Sequence, residues 1–292
     1  MNAIEIRNLS KSFCGMYAVN HLNMTVPVGA IYGFIGENGS GKSTTEKLIC
    51  GHLVPNEGEI KLFGKDYTDA GVRVRVGALI ENAGCFPNSS VWDNLMMQAI
   101  NLGLEHRTDE INRVLKIVRM EDSAHIKFKS CSLGMKQRIG IAMALLGDPA
   151  LLILDEPING LDTDGMRIMK EILVDITQNY GCTVLISSHI LGELEKIATH
   201  YGIIRQGKMI CEISAKDMDS CARLFISLKT RICREQKLSC KRNSGMSGRK
   251  KNILGYMMWM IRRASWNTFS KTGTLSEGSA ETKSVLKNTM SN

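Results

Sequence analysis

At 292 residues, with 43% hydrophobic and 23% charged residues, the chain can hold one sizeable core plus an appendage and has the balance of a globular protein. Its most apolar run, residues 253–261, is nine residues long between Lys251 and Arg262, far short of the about 18–20 that cross a bilayer, so no membrane span is expected. The formal net charge of +8 is uneven: residues 1–218 carry 22 Lys and Arg against 25 Asp and Glu, residues 219–292 carry 15 against 4, and the basic character belongs to the second stretch. The 9 cysteines include no C-x-x-C pair, and residues 1–6 lack both a basic and an apolar leader segment. Reduced thiols in a cytosolic protein without a signal peptide are the expectation.

The first elements read as strands: weak alternation over residues 3–9, then residues 19–26, closed by Pro27 and Gly29. An apolar run, residues 30–35, leads into Gly36-Glu37-Asn38-Gly39-Ser40-Gly41-Lys42-Ser43-Thr44, and residues 45–50 follow with helical spacing. This is the strand–G-x-x-x-x-G-K-[ST]–helix pattern of a phosphate-binding P-loop. The glycines let successive backbone N–H groups face one anion, and the helix presents its positive end to the same place. Lys42 would reach the β- and γ-phosphates, and the Ser43 hydroxyl would take one Mg²⁺ position. The pattern predicts binding of a nucleoside triphosphate.

A short strand over residues 58–64 and a second over residues 72–80, with Val72, Val74, Val76 and Ala78 on alternate positions, come next. Helical spacing then takes over residues 91–120 as two helices broken at Gly103, and a third is predicted over residues 132–146, ending at Gly147-Asp148-Pro149. Leu151-Leu152-Ile153-Leu154 is uniformly apolar, as a strand covered on both faces should be, and it runs into Asp155-Glu156-Pro157. A helix over residues 165–178, a strand over 183–186, a short helix over 190–199 and a hairpin over 201–213 turning at Gln206-Gly207 complete the order. Strands alternating with helices around a P-loop predict an α/β fold. Beyond about residue 214 the periodicity fades, and residues 215–292 are expected to be a basic extension, poorly ordered or abnormal through a frameshift or truncation.

Asp155 ends an apolar strand, where its carboxylate can hold the Mg²⁺ shell together with Ser43. Glu156, one residue later, can activate a water for in-line attack on a γ-phosphate. Cys131-Ser132-Leu133-Gly134-Met135-Lys136-Gln137-Arg138 opens a helix with a hydroxyl and small-residue N–H groups, a second anion site. With this third motif the chain resembles the ATP-binding cassette (ABC) ATPases over about residues 2–213. Ser132 and Gly134 keep the Ser and Gly of that family's signature, while Leu133 and Met135 depart from its consensus. Ile158-Asn159-Gly160-Leu161-Asp162 is similar to the family's dimer-crossing loop, His189 to its γ-phosphate-sensing histidine, and Phe13 to the aromatic that stacks on adenine, with Tyr17 as the alternative. Glu81 stands where most members carry a glutamine; it still offers oxygen to Mg²⁺, and this loop, with Asn82 and Phe86-Pro87-Asn88, resembles bacitracin and lantibiotic exporters.

The resemblance implies a P-loop NTPase cassette over residues 1–214, mostly parallel sheet with an antiparallel β subdomain and a helical signature subdomain at about 88–146. It implies ATP and Mg²⁺ as ligands, a head-to-tail dimer with a second copy, and a separate transmembrane permease that holds the cassette on the inner face of the membrane. Export of an antibiotic peptide or drug is the activity this points to. The competing reading, a soluble cassette acting on ribosomes or nucleic acid through the basic stretch, is less favoured because such proteins carry two cassettes in one chain, and nucleic acid is not an expected partner.

Overall fold

The computed structural model describes residues 1–217. Residues 218–292, with the readings placed on them (a basic extension, a nucleic-acid contact, an abnormal end), lie outside the described residues.

The chain opens with two long strands, β1 (Asn2–Phe13) and β2 (Met16–Pro27), and then β3 (Ile31–Ile35), which feeds the P-loop helix α1 (Lys42–Ile49). β4 (Glu57–Leu62) and β5 (Lys65–Asp66) return to the first pair, giving an antiparallel sheet in the order β2-β1-β4-β5. After the single-turn helix α2 (Ala70–Arg73) and β6 (Val76–Leu79) come three helices, α3 (Val91–Asn101), α4 (Arg107–Ile117) and α5 (Leu133–Leu145). The remainder is β7 (Leu151–Leu154), α6 (Thr163–Gln178), β8 (Thr183–Ser188), α7 (Leu191–Leu194), β9 (His200–Arg205) and β10 (Lys208–Ser214). The second sheet runs β10-β9-β3-β8-β7-β6, parallel throughout except for the edge strand β10.

Period-two alternation explains how one sheet serves two cores. Ile31 and Ile35 of β3, Leu152 and Leu154 of β7, and Val184 and Ile186 of β8 face a cluster shared with α3, α4, α5 and α6. Their alternates Tyr32, Phe34, Leu151, Ile153 and Leu185 face a second cluster with Leu48 and Ile49 of α1 and Ile4, Leu22, Val26 and Ile60 of the antiparallel sheet. The central strands β3, β7 and β8 are buried at every residue, the cause of the unbroken apolar run of β7 and of the apolar middle of β8, whose buried polar residues Thr183, Ser187 and Ser188 stand at its ends. The sheet is therefore sandwiched between a helical layer and, on the other face, α1 plus the antiparallel sheet, rather than between two full helical layers.

Two expected elements differ. Over residues 72–80 only the second half is a strand. Asp69 accepts a hydrogen bond from the Val72 N–H at 3.1 Å and caps the turn of α2. Val72 is 2% exposed and Val74 76%, so the alternation there did not mark one buried face. The helix expected over 190–199 stops at Leu194; Ile190 gives it no side-chain cap and Gly192 weakens its only turn.

Candidate active site

The parallel strands β3, β8 and β7 are neighbours, and their carboxyl ends deliver the P-loop, His189 and the Asp155-Glu156 pair to one edge of the sheet. Local sequence shapes the loop. Gly41 caps α1 at φ 108°, a conformation closed to other residues, and a Cβ there would run into the Ala18 carbonyl oxygen. A Cβ on Gly36 would likewise strike the Ser40 hydroxyl and Ile204. Lys42, only 5% exposed, folds back so that Nζ donates to the Gly36 carbonyl at 2.8 Å and the Glu37 carbonyl at 3.2 Å. Thr45 Oγ1 donates to the Gly41 carbonyl at 2.8 Å. Glu37, Asn38 and Gly39 are exposed along the rim, and Ser43 and Thr44 are half-buried in the first turn.

This cradle suits an anion. The first turn of α1 holds no acidic residue and no side-chain cap, which leaves its N–H groups to a ligand. The Ser40 hydroxyl is buried with no partner among the described residues, and Lys42 adds a cation at the same spot.

The carboxylate edge is built around Ser187. Its Oγ donates to Asp155 Oδ1 at 2.8 Å and accepts from the Glu156 N–H at 3.0 Å, while the Asp155 N–H donates to the Leu79 carbonyl at 2.9 Å. Glu156 adopts φ 47°, a strained backbone for a non-glycine residue and one that clusters at functional sites. Its Oε1 lies 3.4 Å from Lys42 Nζ, and its Oε2 lies 2.8 Å from His189 Nδ1 and accepts from Asn159 Nδ2 at 3.1 Å. Lys42, Glu156 and His189, separated by more than 140 residues at the extremes, form one cluster, with Glu156 ion-paired to Lys42 and hydrogen-bonded with His189.

Other expected residues lie apart. Ser132 is exposed and caps α5, accepting from the Met135 N–H at 3.3 Å; Gly134, half-buried, packs toward Leu161, and Leu133 toward Gly160. The signature helix start and the loop 158–162 are thus one surface. Phe13 and Tyr17 are 46% and 53% exposed at the β1–β2 tip, where the Lys11 ammonium sits 5.3 Å from the Phe13 ring centroid; neither is a core residue. Glu81 has φ 65° and pairs with Lys47 of α1 at 2.5 Å on the exposed side of that helix.

One residue went unnoticed in the sequence. Glu46 of α1 is fully buried beside Asp155, Ser187 and Lys42, and burial, reinforced by the Asp155 charge, raises its carboxyl well above the usual range. Its position four residues after Lys42, in register with the buried Leu48 and Ile49 face, was the available signal.

A P-loop joined to a strand-end carboxylate pair and a histidine, on a parallel sheet flanked by an antiparallel sheet and a helical subdomain, defines a P-loop nucleoside triphosphatase of the cassette type. The family model described as ABC transporter matches residues 19–159. The chain is 40% identical over 212 residues to the bacitracin transport ATP-binding protein BcrA of Bacillus licheniformis, covering 72% of this chain and 69% of that one. It is 38% identical over 222 residues to the lantibiotic transport ATP-binding protein SrtF of Streptococcus pyogenes, 76% of this chain and 95% of that one. Among solved structures, cbiO1 of Clostridium perfringens, part of the ABC transporter complex cbiONQ, superimposes with a TM-score of 0.69 at 26% identity, over 81% of this chain and 98% of that one. The chain belongs to the ABC transporter family as its ATP-binding, ATP-hydrolysing component. None of the helices among the described residues is long and apolar enough to cross a membrane.

Proposed function

We propose that the chain powers export of an antibiotic peptide or drug through a separate permease, as a cassette of residues 1–214 docked on the inner face of the membrane. The similarity to bacitracin and lantibiotic transport proteins, together with the Lys42–Glu156–His189 cluster, carries this reading.

In this reading residues 36–44 cradle the β- and γ-phosphates of ATP through their N–H groups, with Lys42 as counter-ion. The hydroxyl of Ser43 and the carboxylate of Asp155 would hold Mg²⁺, as hard oxygen donors of the kind that ion takes; Glu81, which lies apart in its pair with Lys47, would join them only on leaving that pair. Mg²⁺ when bound neutralises charge on the β- and γ-oxygens. Glu156 releases Lys42 to the γ-phosphate and accepts a proton from water as that water's oxygen bonds to the γ-phosphorus. The bond to the bridging oxygen breaks, and ADP and phosphate leave. His189 keeps Glu156 oriented and senses the γ-phosphate. Phe13 stacks on adenine.

Ser132 and Gly134 of a second copy close the other side of the triphosphate, because one anion of this charge gains from two helix N-termini. ATP then joins a twofold dimer and hydrolysis releases it. The reading is tested by co-expressing the chain with a candidate six-span permease in a bacitracin-sensitive host. Resistance that rises with the intact chain and not with Glu156→Gln supports it; equal resistance from both would sink it.

A further inference from the structure

The P-loop helix buries a carboxyl that the reaction above leaves unused. Glu46 is 0% exposed, and neither of its oxygens completes a well-formed hydrogen bond among the described residues, although the Ser187 hydroxyl and the Asp155 carboxyl lie within reach of it. Leu48 and Ile49 on the same helix are packed into the apolar cluster, so the helix cannot turn to free it. An unsatisfied buried polar group costs about 1–3 kcal/mol, and an apolar side chain of similar volume would be the more stabilising choice at this place. The neighbours of the carboxyl give it a use: Asp155, and the Ser187 that donates to Asp155 at 2.8 Å. Asp155 thus has two neighbours that bear on its orientation, the Ser187 hydroxyl bonded to it and the buried Glu46 carboxyl.

We propose that Glu46 is a positioning residue for Asp155: from its buried place beside that carboxylate and Ser187 it fixes the carboxylate's orientation, and so sets the affinity of the site for the divalent cation that accompanies the triphosphate. This rests on the reading of Asp155 as a cation ligand. Groups behind a ligand commonly change metal affinity by about 10- to 100-fold when lost, without touching the metal.

The test compares Glu46→Met and Glu46→Gln with the unmodified full chain. Mn²⁺ binding to the ATP-loaded protein is read by electron paramagnetic resonance, ATP affinity is measured in excess chelator, and thermal unfolding is followed without nucleotide. For Glu46→Met, Mn²⁺ affinity should fall about tenfold, with unfolding temperature unchanged or raised and chelator-insensitive ATP affinity within about twofold. Glu46→Gln, which retains a donor and an acceptor, should stay within about threefold of the parent in Mn²⁺ affinity. Parental Mn²⁺ affinity in Glu46→Met, or an equal loss in Glu46→Gln, overturns the proposal; should the Met variant fail to fold, Glu46→Leu takes its place under the same criteria. Asp155→Asn is measured alongside: if it leaves Mn²⁺ affinity intact, the cation-ligand reading fails, whatever the Glu46 variants show.

Discussion

Two helices, α1 and α5, begin at loops that can receive an anion, and their surroundings differ. At α1 the cap is Gly41 without a side-chain bond, Lys42 is 5% exposed, and Glu156 stands 3.4 Å from its ammonium. At α5 the cap is Ser132, exposed, its hydroxyl already accepting the Met135 N–H, and Leu133 beside it is 50% exposed. A buried ammonium needs an anion whatever the ligand state, and Glu156 serves as one. A self-capped surface helix end needs nothing. On the proposed reading the first end is a site in its own right, and the second completes a site belonging to another molecule.

Removing the cation from α1 gives the largest expected effect. Lys42→Ala should weaken ATP binding by at least about 100-fold, since a desolvated charge-assisted contact to phosphate is lost. Titration with a fluorescent ATP analogue checks this, and retained affinity would refute the assignment of residues 36–44. Glu156→Gln comes next: turnover should fall by about 10²–10⁴ with ATP binding kept, because the proton acceptor is gone while the oxygen and nitrogen of the side chain still fill its place. Size-exclusion chromatography with ATP should then show a dimer, and a strictly monomeric variant would break the composite site.

The difference between the two ends also marks what was legible in the sequence. The loop Gly36 to Lys42, the apolar strand before Asp155 and the helix opened by Ser132 each carry a local signal, because turn glycines, uninterrupted apolar strands and capping residues act within a few positions. What depends on distant neighbours was hidden. The alternation of Val72, Val74 and Val76 read as one strand, yet the Asp69 cap pulled its first half into a helical turn. Likewise, Glu46 reads as an ordinary polar residue on an amphipathic helix until β7 and β8 are laid over it. The convergence of Glu156 with both Lys42 and His189 follows from strand order, which no short window contains.

At α5 the expected change is smaller and of another kind. Ser132→Ala removes a cap worth about 1 kcal/mol of helix stability, a modest fall in unfolding temperature. ATP affinity measured at monomeric concentrations should not change, whereas turnover at high protein concentration should drop about tenfold through loss of a donor to the partner's phosphate. A Ser132→Ala variant that loses ATP affinity as a monomer would place both helix ends on one nucleotide within one chain and abolish the distinction drawn between them.

The smallest effect concerns the charges that hold the helical subdomain rather than act in the site. Arg113 of α4 donates to Glu110 at 2.8 and 3.1 Å and to the Leu145 carbonyl at the end of α5 at 3.1 Å. The hydrogen bonds from Arg113 hold the Glu110 carboxyl below its usual range. A carboxyl with a lowered folded pKa contributes stability that is fully present above its unfolded value of about 4.3 and is lost as pH falls through the folded value. Glu110→Gln should therefore cost no more than about 0.5 kcal/mol at neutral pH, as helix ion pairs do, and the gap to the parent should close on acidification below about pH 4. Thermal unfolding of both proteins over that range reads it directly. A gap that persists at low pH would assign the loss to packing at the α4–α5 contact. A gap that closes would show that charge here only braces the helix presenting Ser132, in contrast to Lys42 and Glu156, whose charges meet each other at 3.4 Å in the cluster proposed to receive the triphosphate.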